Sequence, residues 1–314
     1  MDKWGEYMII NVGQRTDIPA FYSDWFYNRI KEGYVCVRNP YNPQRITKYK
    51  LDPQVVDCLC FCTKNPQPML SRIDFIKAFR QFWFVTITPY DKDVEPYVPP
   101  VQNVILSFRE LSKKVGVKCI GWRYDPIFIN EKYTVERHIH DFEKMAEKLS
   151  GYTTRCIISF IDLYKKTIRN FPNVQEVSKQ DRHRIAKAFS QIARKYHMKL
   201  YMCAEGDEYE IYDIDCLGCM RKEVIEEAIG EELLIKSQSL RDGCQCLIGN
   251  DIGEYHTCMH GCLYCYANES MTLIKKRYQS HDSLSPLLIG HIHEGDKVYH
   301  AKQSSNINYQ ISLF

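Results

Sequence analysis

Short apolar runs alternate with amphipathic stretches of helical length along most of this chain, and this alternation limits the fold more than any other feature. The apolar runs are rich in β-branched and aromatic residues, which is typical of buried strands: Met8–Val12, Val35–Val37, Val55–Cys62, Phe82–Thr88, Cys119–Tyr124, Cys156–Phe160 and Leu200–Cys203. The clearest helical stretches between them are Ala20–Lys31, Pro68–Phe79, Val101–Lys114, Thr134–Leu149 and Lys179–Tyr196. The pattern therefore favours the α/β class, with a parallel sheet and helical crossovers.

The number of strand–helix units predicts a (β/α)8 barrel of the TIM type, complete or partly open. Seven strands precede the cysteine-rich end, and Ile252–His256 supplies an eighth. Polar or proline-containing turns follow several strands and would form the functional rim of a barrel, although such residues also begin helices. We expect residues 1–280 to form the barrel and the polar, weakly periodic segment 281–314 to form a C-terminal extension and tail.

The 14 cysteines indicate metal or redox chemistry. Met1–Tyr7 does not resemble a signal peptide, and no run approaches the roughly 20 apolar residues of a membrane span, so we expect a cytoplasmic protein without membrane contact. In a reducing compartment, clustered cysteines are more often metal ligands or redox groups than disulfides. The net charge of +3 argues neither for nor against a nucleic-acid partner.

The most specific motif is the cluster loop, residues 256–268, in which Cys258, Cys262 and Cys265 stand at Cys-x3-Cys-x2-Cys spacing. Tyr264 directly precedes the third cysteine. Thiolates at such short spacing hold iron–sulfur clusters, and three of them leave one iron of a [4Fe–4S] cluster without a protein ligand. The alternative is a zinc site completed by His256 or His260.

This motif resembles the signature of the radical S-adenosylmethionine (SAM) superfamily, which has the same spacing and the same aromatic residue. The resemblance implies a [4Fe–4S] cluster whose open iron binds SAM, and reductive cleavage of SAM to a 5′-deoxyadenosyl radical. It also implies a reductant such as flavodoxin or ferredoxin.

A second resemblance extends over nearly the whole chain. The segments that carry it are Gly13–Asp17, Thr63–Pro66, Arg123–Pro126 and the cluster loop. In these the chain resembles the bacterial domain of unknown function 1848 family, which is similar to radical SAM proteins in carrying such cysteines at its C-terminal end. The family supplies no substrate.

The late position of the motif predicts a circular permutation. Radical SAM enzymes usually carry these cysteines after the first barrel strand, whereas here they follow the last predicted strand. In a closed barrel the last strand neighbours the first, so Met8–Val12 would take the place of the strand that ordinarily follows the cluster loop. The turn after it would then hold SAM, with Gly13 in the turn, Gln14 accepting from the ammonium and Arg15 pairing with the carboxylate.

The same offset places Thr63, Lys64 and Asn65 near the SAM ribose. Thr86, Thr88, Arg123 and Asp125 would line the pocket. For all of these residues the alternative role is packing or helix capping at the rim.

A second cysteine set follows the seventh predicted strand and precedes the eighth. Cys216, Cys219, Cys244 and Cys246 form two close pairs, which suits an auxiliary iron–sulfur cluster or a zinc site. Free thiols in packed loops are the alternative. Cys58, Cys60 and Cys62 instead alternate along one strand face, where filling of the core is the better interpretation.

The C-terminal residues resemble the short peptide by which bacterial DNA polymerases and mismatch-repair proteins bind the DNA sliding clamp. Gln310 would fix the register, while Leu313 and Phe314 would enter a groove. The sequence thus predicts a radical SAM-type enzyme that acts on nucleic acid in a repair-like reaction. The alternative is a non-catalytic iron–sulfur or zinc-binding accessory protein associated with DNA replication or repair.

Overall fold

A computed structural model describes residues 8–172, 174–203, 205–235, 245–247 and 249–309. Its strands are β1 (Ile9–Val12), β2 (Tyr34–Arg38), β3 (Arg45–Lys50), β4 (Cys58–Thr63), β5 (Gln81–Thr86), β6 (Ile120–Ile127), β7 (Arg155–Phe160), β8 (Lys199–Met202), β9 (Asn250–Asp251) and β10 (Lys297–His300). Its α-helices are α1 (Ile18–Phe21), α2 (Ser23–Glu32), α3 (Val101–Val115), α4 (Val135–Leu149), α5 (Lys165–Asn170), α6 (Lys179–Lys195), α7 (Lys222–Ile229) and α8 (Met271–Tyr278). Short 3₁₀ segments are Gln67–Ile76, Val117–Cys119 and Glu210–Tyr212.

The main sheet has seven parallel strands in the order β8-β7-β6-β5-β4-β1-β9, which confirms the α/β class. The predicted eighth strand, Ile252–His256, is not a strand; instead β9, which ends just before it, pairs in parallel with β1 through Ile10 opposite Asn250 and Asn11 opposite Asp251. The sheet is open among the described residues, since β8 and β9 form its two edges. A complete barrel is therefore not seen.

One predicted barrel strand belongs to a different sheet. The run Val35–Val37 lies in β2, which pairs antiparallel with β3, and β10 adds to β3 in parallel. The prediction counted this run as one of eight strands of the barrel, and its loss leaves the seven observed. The extension from residue 281 packs beside this small sheet, where Pro286 accepts a hydrogen bond from the Cys36 amide at 2.9 Å.

Two helices begin where their capping residues predict. Thr134 and Ser178 accept hydrogen bonds from the third residue beyond them, at the starts of α4 and α6. The predicted helix Pro68–Phe79 is instead the 3₁₀ segment Gln67–Ile76. Its buried side chains include Leu70, Ile73 and Ile76, whose spacing of three residues matches the 3₁₀ repeat rather than the α-helical one.

The sheet is covered on both faces. One face packs against α2, α3, α4 and α6, and there the rings of Phe61 and Trp83 stack with centroids 3.8 Å apart. The other face carries Cys58 and Cys60, both fully buried, beneath α7. Core filling was predicted for Cys58, Cys60 and Cys62; the first two are buried, and Cys62 is partly buried and packs against the same cluster. No helix in the described segments combines the length and the apolar character needed to cross a membrane.

Candidate functional site

The cluster loop begins beside the turn that follows β1. This placement follows from the parallel pairing of β1 with β9, since both strands end at the same edge of the sheet. The Tyr22 hydroxyl donates to the Thr257 carbonyl at 2.7 Å, and the Asn268 amide donates to the Cys258 carbonyl at 3.0 Å. The loop is thereby tied to the helical layer and closed on itself.

The three predicted ligand thiols lie together in this loop and are partly buried. Burial raises the pKa of Cys258 and of Cys265, and the nearby thiols raise that of Cys258 further. Backbone N–H groups oppose this shift: that of His260 lowers the pKa of Cys258, and those of Ala267 and Asn268 lower the pKa of Cys265. Such donors stabilise thiolate sulfur once a metal replaces the proton.

The donor set fits an iron–sulfur cluster by its chemistry. The loop carries three sulfurs, and backbone N–H groups lower the pKa of two of them, Cys258 and Cys265. Lys64 lies near enough to the third, Cys262, to oppose the rise in its pKa that burial causes. Among the described residues, no three His, Cys, Asp or Glu side chains converge on the position of a single ion. The ligands of a cubane each bind a different iron and so need not converge on one point.

A buried carboxylate connects the cluster loop to two neighbouring strand ends. Glu95 lies between β5 and α3, is 3% exposed, and accepts hydrogen bonds from the Tyr264 hydroxyl and from Thr88 Oγ1, the latter at 2.7 Å. Lys64 Nζ donates to the same Glu95 oxygen at 2.9 Å. Desolvation is the main cause that raises the pKa of Tyr264, and Cys262 and Glu95 add to it, so this phenol remains protonated and donates.

A second carboxylate joins the cluster loop to the β1 turn. Asp17 Oδ2 accepts from His260 Nε2 at 2.8 Å and from the Lys64 amide at 2.7 Å, while its Oδ1 accepts from the Ala20 amide at 3.0 Å. The side chains of Asp17 and His260 are 7% and 3% exposed. Because Asp17 engages Nε2 of His260, this imidazole already has a structural partner in the ligand-free protein.

The predicted SAM turn has one residue with a clear steric role. A Cβ on Gly13 would lie 2.3 Å from the Cys62 carbonyl oxygen, and the residue has a φ of 128°. The Gln14 carbonyl accepts from the Tyr266 hydroxyl at 2.7 Å, which draws the turn against the cluster loop. Arg15 donates through Nε to Asp251 Oδ2 at 2.6 Å and through Nη2 to the Asp251 carbonyl, so its guanidinium already has partners.

The three residues predicted near the SAM ribose have different roles. Lys64 alone reaches the network of Glu95 and Tyr264. Thr63 Oγ1 accepts from the Asn65 amide at 2.9 Å, and Asn65 Oδ1 accepts from the Gln67 amide at 3.3 Å. Thr63 and Asn65 thus make the local capping contacts that were their alternative role.

The second cysteine set is only partly assembled as predicted. Cys219 and Cys246 lie in contact, and Cys203 joins them with its sulfur 4.0 Å from that of Cys219. The sulfur of Cys216 points away, toward the Ile214 carbonyl. Cys244 lies outside the described residues, as do Gln310, Leu313 and Phe314 of the predicted clamp-binding tail.

Sequence reasoning missed Glu95 and Cys203 as site residues. Glu95 stands in a loop without a motif, and only the tertiary fold brings it to Tyr264. Cys203 was grouped with the apolar run that became β8, which it directly follows.

Comparison with known proteins gives a family and little else. The model of a domain of unknown function, DUF1848, matches residues 9–267. A comparison with curated proteins finds no match. Among solved structures, the chain is similar to a "putative alpha-L-fucosidase" from Bacteroides thetaiotaomicron at 13% identity and a TM-score of 0.27, with 51% of this chain and 47% of that chain covered. The chain thus spans about half the length of that protein, and so low a TM-score supports no conclusion.

Proposed function

The chain belongs to the DUF1848 family, and we propose that it is a radical SAM-type enzyme whose [4Fe–4S] cluster is bound by Cys258, Cys262 and Cys265. The observation that carries the proposal is the set of three partly buried thiols on one loop, with backbone N–H groups that lower the pKa of Cys258 and of Cys265. When bound, the cluster would supply an electron to cleave SAM.

The topology supports the same proposal. The strand before the cluster loop pairs in parallel with β1, so the turn after β1 lies beside the loop although the two are far apart in sequence. Such an order is what a permuted radical SAM sheet requires. The polar turns after β1 and β4 then face the thiols, and Lys64 brings a positive charge toward them.

The residues around the loop would position it and limit access of water. Glu95 holds the Tyr264 hydroxyl, and Asp17 holds the His260 ring. Gln14 is the best SAM ligand in its turn, because the guanidinium of Arg15 is engaged with Asp251. We expect the Gln14 side chain to accept from the SAM ammonium and Arg15 to preserve the shape of the turn.

Anaerobic reconstitution with iron and sulfide tests the cluster. We expect a brown chromophore and about four irons per chain at this site in the wild type, and loss of these four irons in Cys258→Ala. Gln14→Ala should retain this iron and bind SAM more weakly. Stoichiometric zinc in place of iron would instead indicate the alternative, a metal-binding accessory protein. Unchanged iron in Cys258→Ala would refute the ligand assignment.

The proposed substrate class is nucleic acid, and it depends on the C-terminal peptide rather than on the described site. Basic residues near the loop lend it little support, since Arg277 is paired with Glu254 and Lys166 lies over the Tyr255 ring. The sliding-clamp experiment in the Discussion tests this part separately.

A further inference from the structure

A second group of thiols, Cys203, Cys219 and Cys246, meets beside the face of the main sheet that carries Cys58 and Cys60. The sulfurs of Cys203 and Cys219 lie 4.0 Å apart, and the thiol of Cys246 lies close enough to Cys219 to raise its pKa. These cysteines come from three segments that are well separated in sequence. Only folding brings them together, which distinguishes them from neighbours on one strand such as Cys58 and Cys60.

The three cysteines lie on segments that adjoin the two edge strands of the sheet. Cys203 directly follows β8, one edge of the sheet, and Cys246 precedes β9, the other edge. Cys219 follows Asp215, whose backbone pairs with β8 through a hydrogen bond from the Met202 amide at 2.9 Å. The group therefore connects the end of β8 to the segment that leads into β9, and a bond between these residues would link the two edge strands.

The surroundings of the sulfurs supply donors of the kind that stabilise thiolates. The Met220 amide donates to the Cys246 sulfur at 3.2 Å. Arg123 Nη1 donates to the Cys219 sulfur at 3.7 Å, while its Nε donates to Asp125 at 3.0 Å. The guanidinium is thus held in place by a carboxylate and directed at the thiol. A positive group and an N–H donor next to sulfur are typical outer ligands of a thiolate metal site.

The spacing of the sulfurs also fits a metal. A tetrahedral zinc ion with Zn–S bonds of about 2.3 Å requires sulfurs roughly 3.8 Å apart, close to the 4.0 Å between Cys203 and Cys219. The three sulfurs do not surround one point in the ligand-free arrangement of the described residues. Closing the site requires a shift of Cys246, which is half-buried, and metal sites are seldom fully formed before the metal binds.

We propose that Cys203, Cys219 and Cys246 form a second thiolate metal centre, a zinc ion or an iron–sulfur cluster, that links the two edges of the open sheet. Cys216 is not part of it, because its sulfur contacts the Ile214 carbonyl on the far side of the loop. The proposal does not require SAM chemistry at the cluster loop. It assigns Arg123 the role of a charged neighbour that offsets the negative charge of the thiolates.

Metal analysis of anaerobically purified and reconstituted full-length protein tests the proposal. In Cys258→Ala, which lacks a ligand of the first site, the metal that remains should belong to the second centre. Adding Cys219→Ser to this variant should remove that remaining metal, whereas adding Cys216→Ser, a change in the same loop, should leave it. One zinc per chain identifies an ion, and iron with matching sulfide identifies a cluster; either result supports the proposal.

Three results would overturn it. The first is the absence of any metal in Cys258→Ala. The second is an equal metal content when Cys219→Ser or Cys216→Ser is added to Cys258→Ala. The third is a Cys203–Cys219 disulfide in metal-free protein after anaerobic purification. Cys246→Ser provides a second test should Cys219→Ser fail to fold, since Cys246 is less buried. The radical SAM proposal fails by a different result: its failure is an iron content in Cys258→Ala equal to that of the wild type.

Discussion

Replacing Asp17 with alanine should destabilise the protein and detach the cluster loop from the β1 turn. The change removes the acceptor of the Ala20 amide at the start of α1, a cap worth about 1 kcal/mol. It also leaves two donors without their partner, His260 Nε2 and the Lys64 amide, at about 1–3 kcal/mol each. We therefore expect the free energy of unfolding to fall by about 3 kcal/mol or more.

Urea denaturation followed by circular dichroism measures this loss, and iron retention after gel filtration reports the effect on the cluster loop. Asp24→Ala is the matched control, because Asp24 is 75% exposed and its pair with Arg72 is a surface ion pair worth less than about 1 kcal/mol. A difference of under about 1 kcal/mol between the two variants would refute the role given to Asp17.

Three further predictions concern other parts of the chain. Gly13→Ala should lower the melting temperature more than Gly206→Ala, because both positions have positive φ but only the Cβ at Gly13 meets backbone, the Cys62 carbonyl oxygen at 2.3 Å; equal shifts would contradict the steric argument. Burial lowers the pKa of His138 to about 4, whereas the unfolded pKa lies near 6.5. The neutral ring therefore contributes about 3 kcal/mol of stability above pH 6.5, and this contribution is lost as the pH falls from 6.5 toward 4. His138→Gln should therefore flatten the dependence of urea stability on pH in that range, and an unchanged dependence would count against it. Deleting residues 310–314 should abolish retention on immobilised DNA sliding clamp, and equal retention of the full and shortened chains would remove the proposed clamp contact.

The parallel core was predictable because its strands are buried on both faces and so form continuous apolar runs. The small sheet was harder to predict. β3 mixes Ile46 with exposed charged residues such as Arg45 and Lys50, and its partner β10 lies in a segment without clear periodicity. The run in β2 was recognised as a strand, but nothing local to it specifies which sheet it joins.

Some residues of the candidate site were predictable from local sequence, and others were not. The cysteines of the cluster loop were predictable from their spacing, because one short loop holds all three. The contacts of Glu95 and the convergence of Cys203 with Cys219 depend on tertiary structure. The Cys216–Cys219 pair was misleading, since Gly218 takes a φ of 124° between them and the two sulfurs point to different sides of the loop.

The central claim is most directly tested by measuring 5′-deoxyadenosine after anaerobic incubation of reconstituted protein with SAM and dithionite. The account predicts that the wild type forms this product and that Cys262→Ala, which removes a cluster ligand, forms none above the level of a reaction without protein. Full iron content in the wild type with no 5′-deoxyadenosine would contradict SAM cleavage, and equal product from Cys262→Ala would contradict the site.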